Sequence, residues 1–281
     1  MVLEGYWTGS VGSTNPIPLH YQHIKRTKMK KIFLLLALLA MGSMGSAQQT
    51  KVMIRAKAKD AKFIGSSIGG AHVLVKNTEN GQILAEGITQ GSTGNTDLIM
   101  NTPKGRHDQI SDGNTAGFLA VMDLERPTFA QVEVRAPYHR KNAMVSSTTQ
   151  LWLIPGKDIL GDGIQLEFSG YVVDILTPNT HQYVSLKSLS QGIDIRASIV
   201  MMCGCPIEQG GLWDSSGMEA RALVKKDGKD FGSIDLVNPS RNIFEGRIDI
   251  RETGNYGITL YAYDPNTGNT GLDRIDFVVT D

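Results

Sequence analysis

Strict alternation of apolar and polar residues dominates the chain from residue 48 onward. It is clearest in 131–136, 193–199 and 247–251, where every second residue is Val, Ile or Ala. A period of two indicates antiparallel strands with one face on a core and the other in water. The wider apolar stripe of an amphipathic helix is missing from this part of the sequence. The pattern therefore predicts an all-β chain.

Turn-forming dipeptides separate the strand candidates at short intervals. Asn80-Gly81 stands between the apolar runs 72–75 and 83–85, and Asp227-Gly228 stands between 220–225 and 231–236. Asn-Gly and Asp-Gly favour the positive φ angles of a two-residue hairpin turn. Many short strands joined by frequent turns are typical of β-sandwiches and barrels.

A polar, glycine-rich stretch at 155–163 separates two long apolar regions. It predicts a boundary between two β-sandwich domains, at 48–157 and 163–281. Each part has about the length of one sandwich, roughly 100 residues. The expected architecture is two tandem β-sandwiches that follow a cleaved signal peptide.

Residues 29–47 have the pattern of that signal peptide. Lys30 and Lys31 precede the apolar run 32–41, and small residues follow as far as Ala47. A positive start, a short apolar core and a small-residue exit are typical of secretory signals. The run is too short to cross a bilayer, which takes about 20 residues. We expect a secreted or periplasmic protein without a transmembrane segment.

Cleavage between Ala47 and Gln48 changes the charge of the chain. Residues 1–28, which precede the methionine that opens the signal, are interpreted as a mis-assigned start or a tag. The whole sequence has 28 Lys+Arg and 28 Asp+Glu; residues 1–47 hold five of the basic and one of the acidic residues, which leaves 23 and 27. Without a basic excess we expect no nucleic-acid partner.

The N-terminal half opens with a strand at 71–77, a turn at Gly81, a strand at 83–87 and then Thr89. This order resembles the opening of prealbumin-like and Cna-B-like sandwich domains. It covers about 30 residues and implies a fold only.

The C-terminal half ends with two strand candidates at 254–264 and 274–280, with Gly268-Asn269 between them. This arrangement is similar to the last two strands of bacterial immunoglobulin-like domains. In that family a Tyr packs and hydrogen-bonds at the start of the penultimate strand, and Tyr256 holds that place. The resemblance implies an immunoglobulin-like β-sandwich domain at 163–281, and with it two tandem immunoglobulin-like β-sandwiches after the signal peptide. It also implies a spacer, an adhesion module or a binding module.

Both cysteines of the chain, Cys203 and Cys205, lie two residues apart at the end of an alternating strand. If the strand continues, Met201, Cys203 and Cys205 share its inward face. A disulfide, structural or redox-labile, is one interpretation, since oxidising compartments pair thiols. A soft-metal site for Cu or Zn that uses Met201, Cys203 and Cys205 is a second. Thiol–disulfide exchange and free buried thiols are the others; apart from Cu or Zn, no cofactor is expected.

A glycine-flanked loop at 210–217 carries Trp213 and Asp214. An exposed Trp at the end of a sandwich can stack on a sugar or anchor a protein partner. The alternative is a Trp that closes the end of the core. Trp213 and Asp214 are therefore candidate binding residues.

Familiar catalytic motifs are missing from the sequence. We therefore expect a secreted or periplasmic, non-catalytic binding or interaction module, with an extracellular or periplasmic protein or glycan as partner. The alternative is a periplasmic copper-binding or thiol-redox protein that uses the segment 203–205.

Overall fold

The computed structural model describes residues 47–189 and 192–281, together with Gly9 and Gly12. The predicted signal peptide, except for Ala47, and the segment 1–28, except for those two glycines, lie outside the described residues. Within the described ranges, none of the helices is long and apolar enough to cross a membrane.

Sixteen strands form the regular structure of the described chain, with only single helical turns between them at Ser66–Ile68, Asp97–Asn101, Leu186–Ser188 and Ser215–Gly217. The strands are β1 (Gln48–Ala58), β2 (His72–Asn77), β3 (Ile83–Ile88), β4 (Phe118–Leu124), β5 (Thr128–Ala136), β6 (Val145–Leu153), β7 (Ile159–Phe168), β8 (Tyr171–Thr177), β9 (Tyr183–Ser185), β10 (Ile193–Met201), β11 (Glu219–Lys226), β12 (Lys229–Asp235), β13 (Val237–Ser240), β14 (Ile243–Ile248), β15 (Gly254–Tyr263) and β16 (Thr270–Thr280).

These strands build four sheets. Sheet I has the order β4-β1-β7, and sheet II has the order β3-β2-β5-β6. Sheet III has the order β13-β14-β10-β8, and sheet IV has the order β12-β11-β15-β16-β9. Most neighbours are antiparallel, whereas β7 lies parallel to β1 and β9 lies parallel to β16. The prediction of an all-β fold built from sandwiches is confirmed.

Strand pairing separates the two halves of the chain between β7 and β8. Strands β1 to β7 pair only with one another in sheets I and II, and strands β8 to β16 pair only with one another in sheets III and IV. Residues 159–168, which include part of the predicted linker, form β7 against β1. The domain limits 48–157 and 163–281 stay a prediction.

Both hairpins that the turn dipeptides indicate are present, but only Asp227-Gly228 forms the predicted two-residue turn, because the connection from β2 to β3 runs from residue 78 to residue 82. β2 and β3 flank a turn with Gly81 at φ +73°, and β11 and β12 flank Asp227 at φ +48° and Gly228 at φ +78°. Alternation also predicts burial correctly in β5 and β10, where every second side chain is buried. At 247–251 the strand ends earlier, at Ile248, although Ile248 and Ile250 are both buried.

Tyr256 forms the corner that the resemblance implies. Its side chain is completely buried, and its hydroxyl donates to the carbonyl of Glu252 at 2.9 Å. The ring stacks on Phe277 at 5.5 Å and meets Phe231 edge-on at 5.3 Å. The ring thus ties the start of β15 to β16 and, across β11, to the edge strand β12.

One hydrophobic core runs through both halves, and polar side chains join them at its edge. The fully buried Asn269 accepts from the backbone N–H of Gly170 at 2.8 Å and donates to the carbonyl of Lys59 at 3.3 Å. Asn142 donates to Asp273 at 3.2 Å. Because buried polar groups need partners, these bonds fix how the sheets of the two halves meet.

Arg55 is a buried cation on β1. Its guanidinium donates to the carbonyls of Thr115, Ala116 (2.8 Å) and Gly161 (3.3 Å), and it lies 5.9 Å from the ring centre of Phe63. Burial lowers its pKa from the ordinary value. The Arg55 side chain thus links β1 to the loop before β4 and to the strand β7.

Candidate functional site

The cysteine segment forms a tight turn at the end of β10. The strand stops at Met201, and the chain reverses so that Met201 donates its N–H to the carbonyl of Cys205 at 3.0 Å. Gly204 donates to the carbonyl of Met201 at 2.7 Å and has a φ of +77°. The strand therefore does not continue through the cysteines, since the turn at Gly204 ends it. The side chains of Met201, Cys203 and Cys205 are all buried.

The two cysteine sulfur atoms of this turn face one another. The Cα atoms of Cys203 and Cys205 lie 5.4 Å apart, and their Sγ atoms are in contact. A Cβ added to Gly204 would touch the side chain of Ile68 at 3.3 Å, so the turn packs against the other half of the chain. Among the described residues, no three His, Cys, Asp or Glu side chains cluster as a metal site would require. The site of Met201, Cys203 and Cys205 stays a prediction.

Trp213 lies half-buried against the core. Its indole N–H donates to the backbone carbonyl of Asp60 at 2.8 Å, so it links the two halves. Asp214 accepts from the N–H groups of Gly210 at 3.0 Å and Ser216 at 2.9 Å and caps the turn Ser215–Gly217. These hydrogen bonds hold the pKa of the Asp214 carboxyl below its usual value. Both side chains have structural partners, and their role in binding stays a prediction.

The outer face of sheet II carries an exposed aromatic residue that the sequence reasoning missed. Trp152, on the edge strand β6, has 57% of its surface exposed. Phe129 of β5 is its cross-strand neighbour, and the two ring centres lie 5.1 Å apart at a tilt of 43°. An exposed indole backed by a second ring presents a flat apolar platform to solvent.

A ladder of polar side chains continues from this platform along the same face. Gln131 lies opposite Gln150, and the Gln150 amide donates to the Gln131 carbonyl oxygen at 3.3 Å. One step further, Glu133 lies opposite Thr148. We call the surface formed by Phe129, Trp152, Gln131, Gln150, Glu133 and Thr148 the Trp152 face.

The far end of the Trp152 face is charged. Arg135 binds Glu133 with its Nη2 atom at 2.8 Å, and Lys76 lies 3.7 Å from the same carboxylate. The hydrogen bond from Arg135 lowers the pKa of Glu133. Glu133 is therefore ionised at neutral pH, and it adds an acceptor next to the amide pair. The face thus combines a stacking surface with adjacent donors and acceptors.

These features define an all-β sandwich protein with an aromatic and polar sheet face. No family model matches the chain, and no curated protein matches it. Among solved structures, it aligns with the fibronectin(III)-like modules of Clostridium thermocellum CbhA at 12% identity and a TM-score of 0.25, over 85% of this chain and 92% of theirs.

Two further structures align with lower scores. The β-glucuronidase of Parabacteroides merdae has 8% identity and a TM-score of 0.17, and the alignment covers 81% of this chain but only 24% of the enzyme. Extracellular domains 3–5 of Drosophila OTK have 10% identity and a TM-score of 0.14, over 85% and 98% of the chains. TM-scores of this size carry no functional inference.

The sequence does hold a signal for Trp152. In the segment 148–153, alternation places Thr148, Gln150 and Trp152 on one face and Leu151 and Leu153 on the other. A Trp in a row of polar positions is an aromatic side chain directed to solvent. The sequence reasoning selected the loop at 210–217 instead, because that loop lies close to the cysteines in the sequence.

Proposed function

We propose that the protein is a secreted or periplasmic, non-catalytic binding module that recognises a glycan chain through the Trp152 face. The single observation that carries the proposal is the exposed indole of Trp152 at the end of a ladder of amide and carboxylate groups. Sugar rings have an apolar face that stacks on aromatic rings and hydroxyl groups that both donate and accept hydrogen bonds. The Trp152 face offers both kinds of contact side by side.

The charge of the chain supports a glycan rather than a nucleic acid. Residues 48–281 carry a small acidic excess, and the two cations next to the Trp152 face, Arg135 and Lys76, already lie against the carboxylate of Glu133. A phosphate backbone needs a surplus of cations on the binding surface. A neutral, hydroxyl-rich ligand needs paired donors and acceptors instead.

Secretion is part of the same proposal. It rests on the segment 29–47, whose pattern is that of a signal peptide. In an oxidising compartment we propose that Cys203 and Cys205 form a disulfide, because both are buried and their Cα distance of 5.4 Å is in the range that a disulfide spans. The disulfide would be a structural part of the turn, with glycan binding elsewhere.

A glycan array followed by calorimetry on residues 48–281 tests the proposal. We expect at least one oligosaccharide to bind, and Trp152→Ala to weaken the affinity by about tenfold or more, as for an aromatic hot-spot residue. Tyr263→Ala is the matched control, since Tyr263 is an exposed aromatic (38%) on the other half of the chain. An array without any bound glycan, or a Trp152→Ala protein with unchanged affinity, contradicts the proposal.

A further inference from the structure

The outer face of sheet IV contains a trough that none of the sites above uses. It has a volume of about 700 Å³ and lies across the strands β12, β11, β15 and β16. It belongs to the C-terminal half of the chain, whereas the Trp152 face belongs to sheet II of the N-terminal half. The two surfaces are therefore built by different strands.

The trough exists because a glycine occupies an outward position in the central strand. Gly257 of β15 lies between Lys225 of β11 and Asp276 of β16 in the strand register. A Cβ at Gly257 would lie only 2.7 Å from a carboxylate oxygen of Asp276. The missing side chain leaves the floor of the trough open, and the neighbouring outward residues Asn255 and Thr259 form its ends along the strand.

The positive and negative charges that line the trough are equal in number. Lys225 and Arg274 supply two cations, and Asp230 and Asp276 supply two anions. Lys225 and Asp230 already lie 3.7 Å apart. Asn255 and Thr259 add an amide and a hydroxyl, each of which can donate and accept. The net charge of the trough is zero, so it favours a neutral ligand with many hydrogen-bonding groups.

An apolar side chain completes the lining. Leu223, opposite Thr259 on β11, is 43% exposed and forms one side of the trough. An extended peptide that binds by strand addition needs an open sheet edge, but the floor strand β15 is paired on both sides, to β11 and to β16. The edge strand β12 contributes Asp230 to the lining. A ligand on the floor therefore binds through side chains and through contact with the backbone at Gly257, which suits a ligand with one apolar surface and many hydroxyl groups.

We infer that the trough is a second saccharide site, for a neutral oligosaccharide, and that it acts independently of the Trp152 face. The apolar face of a sugar ring lies on Leu223 and on the backbone at Gly257. Its hydroxyl groups donate to Asp276 and accept from Arg274 and Asn255. The protein then holds a glycan at two places, and two sites on one chain raise the overall avidity for a polymer that reaches both.

The test uses residues 48–281 with amide labelling and four neutral probes, the hexasaccharides of glucose, xylose, mannose and N-acetylglucosamine. We expect at least one probe to shift the amide resonances of Asn255, Gly257 and Asp276. Gly257→Val fills the floor of the trough and is expected to weaken this binding by about tenfold or more. Thr280→Val, an exposed position of the same sheet outside the trough, is expected to leave it unchanged.

The same titration separates this inference from the proposed function. Shifts at Gln150 and Trp152 alone refute the second site and leave the Trp152 face standing, whereas shifts at the trough alone do the reverse. Arg274→Ala keeps Gly257 in place, so it tests the site even where Gly257→Val lowers stability. A trough that binds no probe, or that binds equally well in Gly257→Val and Arg274→Ala, overturns the inference.

Discussion

Trp213→Phe separates the structural from the binding role of this indole. The substitution keeps an aromatic ring but removes the N–H that donates to Asp60 at 2.8 Å. A hydrogen bond of this kind contributes about 0.5–1.5 kcal/mol, and the smaller, half-buried ring loses about another 0.5–1 kcal/mol of apolar burial. We therefore expect the free energy of unfolding to fall by about 1–2.5 kcal/mol. For a chain of this size, that lowers the Tm by roughly 3–8 °C.

Thermal unfolding followed by circular dichroism measures this change, and Trp152→Phe is the matched control. Because Trp152 is 57% exposed, its replacement is expected to change stability by no more than about 0.5 kcal/mol. Glycan affinity should respond in the opposite way, with a loss in Trp152→Phe and no change in Trp213→Phe. A Trp213→Phe protein with weaker ligand binding and an unchanged Tm would contradict the structural role of Trp213, because Trp213 would then be a ligand contact.

Three further predictions concern the core. Tyr256→Phe should lower the free energy of unfolding, measured by chemical denaturation, by about 1 kcal/mol through loss of the hydrogen bond to Glu252. Because burial raises the pKa of Tyr256, the stability that this raised pKa contributes is present below pH 10 and is lost as the pH rises above that value. The Phe variant lacks this part of the alkaline loss of stability. Intact mass after alkylation of the native protein should show no modified thiol at Cys203 or Cys205, and two added alkyl groups in the unreduced, unfolded protein would disprove the disulfide. Arg55→Met should lower the free energy of unfolding by about 2–4 kcal/mol, since it leaves buried carbonyls without a donor; an unchanged denaturation midpoint would contradict this.

Local patterns in the sequence predict the strands well because each strand has one buried face. In β5 and β10 the alternation of side chains matches the alternation of burial residue by residue. The two-residue turn at Asp227-Gly228 follows from the positive φ angles that Asp-Gly allows, whereas at Asn80-Gly81 only Gly81 has a positive φ and the connection is longer. The resemblance predicts the corner at Tyr256 correctly, since its hydrogen bond joins Tyr256 to Glu252, which is close in the sequence.

The pairing of distant strands could not be predicted in the same way. Nothing in the local pattern of 159–168 shows that this segment lies parallel to β1 at the edge of sheet I. The Trp152 face could not be predicted for a related reason, because only the register of β5 against β6 places Phe129 beside Trp152. For Trp213, the deciding contact is a carbonyl at Asp60, far away in the chain.

The central position of β1 in sheet I has a consequence for the order of folding. β1 pairs with β4 on one side and with β7 on the other, so Val52 finds its partner Ile159 only after six strands have been made. During synthesis from the N-terminus, one side of β1 therefore stays unpaired until most of this half has been made. Pairings between distant residues are slow to form, and open strand edges recruit other chains in the meantime. The first strand of the described residues is thus one of the last to gain both of its neighbours, and a fragment that stops at residue 157 would leave one side of β1 permanently unpaired.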